Sequence, residues 1–119
     1  YPVLLVKARV NGEGPYTFFV DTGATVSIVS ASLANKLQLA ELPTPVHGIG
    51  AGGRFTAHAA FASISVGNIR QDHVMVATFD FAQIQKAVGP IDGGLGYNFL
   101  KAYRVTIDFP RQRLCLASP

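Results

Sequence analysis

A single cysteine, Cys115, stands among 119 residues, so no intrachain disulfide can form and stability must come from a packed core. The lack of disulfides leaves the compartment open, since many secreted domains of this size have none. Charged residues are few, 14% against 49% hydrophobic, a balance that excludes a disordered chain and fits one domain too short for two lobes. Six arginines and four lysines outnumber seven acids, for a formal net charge of +3. They are scattered from Lys7 to Arg113, so no basic face marks a nucleic-acid partner. No apolar run approaches the roughly 18 residues that span a bilayer, and the start shows no charged-then-apolar leader. Opening on Tyr1, the stretch reads as a processed or excised domain, with room for an anchor or targeting segment outside it. Three histidines, His47, His58 and His73, fit no short metal-ligand spacing beside one cysteine.

What is present reads as many short strands. Residues 2–10 move from an apolar run to alternation, and Asn11-Gly12 is the strongest short hairpin signal. It returns the chain as a strand over 16–20. A further short strand is predicted over 25–29, with Ser30 as the N-cap of a helix through Leu37 that puts Leu33 and Leu37 on one face. Pro43 and Pro45 are expected to break any regular element. The glycines of 48–53 read as a hairpin tip before a strand over 54–66, and Gly67-Asn68 turns into another over 72–78. Asp80 is a cap for a helix over 81–88, closed by Gly89 and Pro90 in the expected order. Two last strands, 104–109 and 113–117, meet at Pro110, and Cys115 reads as a buried or strand-paired thiol. The expectation is a mainly β domain over 1–119, with a closed, barrel-like core and short helices.

One acid stands apart. Asp21 follows the apolar Phe18-Phe19-Val20 and precedes Thr22-Gly23-Ala24; a carboxylate there is expected to lose part of its hydration, a cost usually kept for use. The ordinary alternative is a turn or capping Asp, since Asp-x-Gly favours turns. Two further landmarks are Gly48-Ile49-Gly50-Ala51-Gly52-Gly53 and Gly94-Leu95-Gly96-Tyr97-Asn98-Phe99-Leu100, the latter an apolar-Gly pair entering a short helix. The first also satisfies G-x-G-x-x-G, with Asp72 about 20 residues further on. A dinucleotide site, however, needs a buried strand before the glycines and a helix after them. Here prolines precede and a β-type run follows.

Together these residues resemble the retropepsins, the single-domain aspartic peptidases of retroviral type, and more closely their bacterial cellular relatives. The resemblance covers nearly the whole chain and rests on Phe19-Val20-Asp21-Thr22-Gly23-Ala24, on Gly48 to Gly53 and on Gly94 to Leu100. It implies a retropepsin-like acid-protease fold and an aspartic endopeptidase that hydrolyses polypeptide with water held between two aspartates. The triplet occurs once, so the second aspartate has to come from a twofold homodimer or from a tandem copy in the intact protein. By this resemblance Asp21 is catalytic, Gly23 brings its N–H to the carboxylate, and Thr22 locks against the partner subunit. Gly48, Ile49, Gly50, Ala51, Gly52 and Gly53 form a flap over extended substrate. Leu95 and Gly96 pack beside the catalytic loop, with Gly96 allowing a close crossing. Ala24 stands where two-lobed relatives often carry a hydroxyl that bonds the ionised carboxylate, so an activity optimum at mildly acidic to near-neutral pH is expected.

No metal, organic cofactor, nucleic acid or direct membrane span is implied. A periplasmic placement, or anchorage through an outside segment, is compatible with bacterial relatives. An Asp21–Asp92 pair within one chain is the rival site, but Asp92-Gly93-Gly94 reads as a turn. Asp72 and Asp108 read as turn and strand-edge residues, and Arg54 stands beside the flap. Residues 1–4 and 114–119 do not closely match the interleaved terminal strands of the viral enzymes. A non-catalytic dimerisation or peptide-binding module on the same fold is the alternative of a different class.

Overall fold

A computed structural model describes residues 4–50 and 53–117. Asn11 and Gly12 both take left-handed backbone, with φ 52° and 81°, as a two-residue hairpin turn requires. β1 (Leu5–Val10) therefore folds back on β2 (Glu13–Val20), with Val10 opposite Glu13. The second strand begins three residues before the expected 16. Asn11 also pins the turn to the strand beyond, donating its N–H to the Ser63 carbonyl and accepting from the Ser63 N–H, both at 2.9 Å.

β3 (Ser27–Ser30) leads into α1 (Ala31–Lys36), where the Ser30 hydroxyl accepts the Leu33 N–H at 3.1 Å as the predicted N-cap. β4 (Glu41–Gly50) and β5 (Gly53–Val66) form a long hairpin closed by Gly50 opposite Gly53. Pro43 and Pro45 lie inside β4 and do not end it, contrary to the sequence expectation. Among the described residues β4 pairs with β5 alone, and the register shifts between Glu41 and Pro45. Edge strands and bulges are where a missing N–H breaks no ladder. β6 (Ile69–Phe79), α2 (Ala82–Val88), β7 (Gly93–Leu95), α3 (Tyr97–Leu100), β8 (Arg104–Asp108) and β9 (Arg113–Ala117) complete the chain. Asp80 accepts the Ala82 N–H at 2.9 Å, and Gly89 closes α2 with φ 88°.

Six strands form a ring in the order β1, β2, β7, β3, β6, β5, and β5 returns to β1 through Arg9 opposite Ser65 and Val10 opposite Ile64. β4 extends outside the ring. β7 runs parallel to β2, and β3 parallel to β6. β8 and β9 form a separate hairpin whose Val105, Leu114 and Leu116 pack on the barrel core. Cys115 is strand-paired opposite Thr106, and it is exposed rather than buried.

Asp92, expected in a turn, instead stands immediately before β7, tied to both neighbouring strands. Its N–H donates to the Thr17 carbonyl at 2.8 Å, its Oδ2 accepts the Thr17 N–H at 3.2 Å, and its carbonyl accepts the Ser30 N–H at 2.9 Å. The glycines after it serve packing, not turning. A Cβ on Gly93 would sit 2.5 Å from the Phe18 ring and 2.7 Å from the Ile28 carbonyl oxygen. Asp72 is likewise a strand residue, holding Arg70 at 2.8 Å on the surface.

Alternation places Val74, Val76 and Thr78 inward and His73 and Met75 outward on β6, as a half-buried strand requires. Phe18, Ile64, Leu95 and Phe99 are fully buried between the strands and α3. Each such side chain stabilises by about 1.5–3 kcal/mol. The Glu41–His58 contact and the ion pairs Arg70–Asp72 and Asp108–Arg111 lie on the surface, where a pair contributes at most about 1 kcal/mol. Burial therefore dominates. No helix among the described residues is long and apolar enough to cross a membrane.

Candidate active site

β2 delivers Asp21 to its end, and β7 fixes where that end lies. The parallel register sets Val20 opposite Leu95, and the Asp21 N–H donates to the Leu95 carbonyl at 3.0 Å. The chain then doubles back: the Gly23 N–H donates to Asp21 Oδ1 at 3.1 Å and the Ala24 N–H to the Asp21 carbonyl at 3.2 Å. Among the described residues the carboxylate takes no other hydrogen bond. Asp21, Thr22 and Gly23 are exposed, whereas the sequence led us to expect partial desolvation of the acid. The strand ends at the surface, and among the described residues nothing covers the loop.

The loop is clamped from behind by α3. The Tyr97 N–H donates to the Ala24 carbonyl at 2.7 Å and the Asn98 N–H to the Thr25 carbonyl at 3.2 Å. Gly96 crosses β3 so closely that a Cβ would stand 2.4 Å from the Val26 carbonyl oxygen, which accords with the expectation of a close approach. Beneath this crossing lies a network the sequence reading missed. The Ser27 N–H and hydroxyl both donate to Asn98 Oδ1, at 2.8 and 2.9 Å; the Gly96 N–H donates to Ser27 Oγ at 3.0 Å; and Asn98 Nδ2 donates to the Met75 carbonyl at 2.7 Å. Ser27 is fully buried. The available signal was polarity inside apolar runs, Val26-Ser27-Ile28 and Tyr97-Asn98-Phe99, because a buried polar side chain is almost always bonded. Three carbonyls, one hydroxyl and one side-chain amide thus hold the Asp21 loop against α3 and β6.

Leu95 and Gly96 therefore stand beside Asp21, while Asp92 does not. With Phe18 opposite Gly93, Asp92 lies at the other end of the β2–β7 pair, about 13 Å from Asp21 at 3.3 Å per residue. An Asp21–Asp92 dyad within one chain is excluded by that register. Gly48, Ile49, Gly50 and Gly53 lie on the β4–β5 hairpin, while Ala51 and Gly52 lie outside the described residues, as do the side chains of His47 and Arg54. Two depressions adjoin the loop. One, of about 390 Å³, is lined by Thr22, Tyr97, Leu100, Lys101, Tyr103 and Val105. The other, about 100 Å³ and wholly apolar, is lined by Val26, Ala59, Met75, Val76 and Ala77. Among the described residues no cluster of acids, histidines and cysteine has the makings of a metal site.

Solved structures share this fold. The chain superposes on a retropepsin-like aspartic protease from Rickettsia conorii with a TM-score of 0.61 and 20% identity, covering 96% of this chain and 79% of that one. It superposes on the retroviral protease-like domain of Ddi1 from Leishmania major with a TM-score of 0.60 and 20% identity, covering 98% and 89%. The fold is retropepsin-like. The aspartyl protease family model matches residues 6–99, and the chain belongs to that family. No curated protein sequence matches it significantly.

Proposed function

We propose that this domain is an aspartic endopeptidase, active as a twofold assembly in which Asp21 of each subunit supplies one half of the catalytic pair. The observation that carries this reading is the presentation of Asp21: one carboxylate, backbone-anchored on both sides, steadied by the Gly23 N–H and exposed at the surface. Asp92 is out of reach, so the second carboxylate comes from a second copy of the domain. A homodimer supplies it most simply, because an isologous interface places a residue opposite itself; a tandem copy in a longer chain would do the same.

Two carboxylates about 3 Å apart do not both ionise readily and share a proton, the behaviour expected of aspartic-protease dyads. The ionised member takes a proton from the bound water, while the protonated member donates to the scissile carbonyl oxygen. Titration then belongs to the pair. Thr22 would brace the two loops beneath the dyad. The β4–β5 hairpin, with its Gly48–Gly53 tip, would close as a flap over extended polypeptide, excluding water and offering backbone hydrogen bonds. The apolar depression at Val26 suits an aliphatic side chain flanking the cleaved bond.

The test is turnover of a peptide library by purified wild type and by Asp21→Asn. Cleavage that vanishes in the mutant at unchanged melting temperature supports the reading. Equal behaviour of the two proteins leaves a non-catalytic peptide-binding or dimerisation module.

A further inference from the structure

The outer face of β5 and β6 carries apolar side chains where a solvated strand face would carry polar ones. Phe61 stands between the buried Ala60 and Ala62 and points outward, directly opposite Met75; the two are 38% and 40% exposed. His73 lies on the Phe61 ring in a parallel stack, with centroids 4.1 Å apart and planes 2° apart. A bulge sets up this stack. Ala62 faces Val74 whereas Ile64 faces Gln71, so β6 holds one extra residue there, and His73 takes left-handed backbone with φ 56°. Bulges of this kind re-aim a side chain and occur beside functional sites. The face is also continuous with the surroundings of Asp21. Met75 is a wall of the apolar depression formed with Val26, Ala59 and Ala77, and its carbonyl accepts Asn98 Nδ2 at 2.7 Å while the Asn98 N–H holds Thr25.

We propose that the Phe61–His73 stack is an outer subsite of the cleft, taking an aromatic or aliphatic side chain of the polypeptide substrate two residues beyond the one seated at Val26. The inference rests on the peptidase reading of Asp21. Its ground is spacing. From Met75 to His73 is two residues of strand, about 6.6 Å, and an extended peptide repeats its side chains on one face at the same interval. A peptide lying along β6 with one side chain in the depression therefore presents its next same-side chain to the stack. A contiguous exposed apolar strip marks an interaction surface, and pockets for alternate side chains are how extended peptides are told apart. Met75, flexible and polarizable, spans the two positions. The Asn98 bonds hold the strip at a fixed offset from the Asp21 loop, so an outer contact also helps to set which bond reaches the acid.

Digestion of a random dodecapeptide library by wild type, Phe61→Ser, His73→Asn and Val88→Ser, with the products sequenced, tests this. Asn tolerates the left-handed backbone at position 73 and removes the ring. Val88 is an exposed control on the separate groove formed with Leu5 and Pro90. Thermal melts confirm that each surface variant is folded. Wild type is expected to select apolar residues at two positions, two residues apart on one side of the cut, with the outer one enriched about 5–10-fold, the effect of partly covering one aromatic side chain. In Phe61→Ser and His73→Asn the outer enrichment should fall to within about twofold while the inner one persists; in Val88→Ser both should persist. The subsite is refuted if wild type cleaves without an outer preference, if that preference survives both substitutions on the stack, or if Val88→Ser removes it as well. Should wild type cleave nothing, retention of the same library on the immobilised protein decides. Paired apolar selection that Phe61→Ser abolishes would uphold the subsite and overturn the peptidase reading, and no selection would overturn both.

Discussion

Replacing Gly96 with alanine is expected to destabilise the domain by about 2–4 kcal/mol, from two sources the structure makes explicit. The added methyl would stand 2.4 Å from the Val26 carbonyl oxygen, 2.5 Å from its carbon and 2.9 Å from the Ser27 nitrogen, where real contacts stay beyond 3.0 Å. All three are backbone atoms, so no side-chain rotation relieves the clash, and the loop must retreat by about 0.6 Å to reach even that limit. Overpacking of this kind costs about 1–3 kcal/mol. The retreat also lengthens the 3.0 Å bond from the Gly96 N–H to Ser27 Oγ, a buried hydrogen bond contributing about 1 kcal/mol. At about 4 °C per kcal/mol for a chain of this size, calorimetry should show a melting temperature lower by roughly 8–16 °C. Gly94→Ala is the contrast, because its methyl meets the Phe19 ring at 2.8 Å and Ile28 Cγ1 at 3.1 Å, side-chain atoms that can yield. It should cost about 1–2 kcal/mol. The reasoning fails if Gly96→Ala melts within about 2 °C of wild type, or above Gly94→Ala. Because the Leu95 carbonyl holds the Asp21 N–H, folded Gly96→Ala should also lose up to about 10²-fold in turnover, the cost of an ångström-scale misplacement.

Ser27→Ala and Asn98→Ala should each cost about 1–3 kcal/mol by stranding buried partners, and the double mutant should cost less than their sum; urea unfolding measures this, and additivity within about 0.5 kcal/mol would show that the two side chains act independently. The pH–rate profile should peak at mildly acidic to near-neutral pH, since Ala24 has no hydroxyl with which to favour the ionised dyad. A maximum below about pH 3, near the range of a free carboxylate, contradicts it.

Local chemistry was the legible part of this fold. The Asn11-Gly12 turn, the Ser30 cap, the Gly89 stop and the Gly50–Gly53 hairpin closure all follow from residues within four positions of one another. The Asp21, Gly23, Leu95 and Gly96 neighbourhood was also recoverable, because motif residues carry their geometry with them. Pairings between distant segments were not. Pro43 and Pro45 looked like breakers because nothing local says that β4 is an outer strand with a register shift. Asp92 looked like a turn because Asp-Gly-Gly is turn-like, whereas the glycines there make room for the Phe18 and Phe19 rings. Ser27 and Asn98, 71 residues apart, reveal their partnership only when β3 and α3 are brought together. The exposure of Asp21 depends on where β2 ends relative to the rest of the fold, which no residue beside it states.

The three-residue β7 has a consequence for how the protein is made. It is inserted between β2 and β3, bonded to a strand some 75 residues earlier. During synthesis the first three-quarters of the chain emerges with the facing edges of β2 and β3 unpaired, and the ring cannot shut until Leu95 is free to enter. Such long-range closure is slow and leaves sheet edges open to misassociation. The same late segment carries Gly96 and Asn98, so the Asp21 loop acquires its clamp only as the barrel closes. A truncated or stalled chain would hold the acid without the scaffold that aims it.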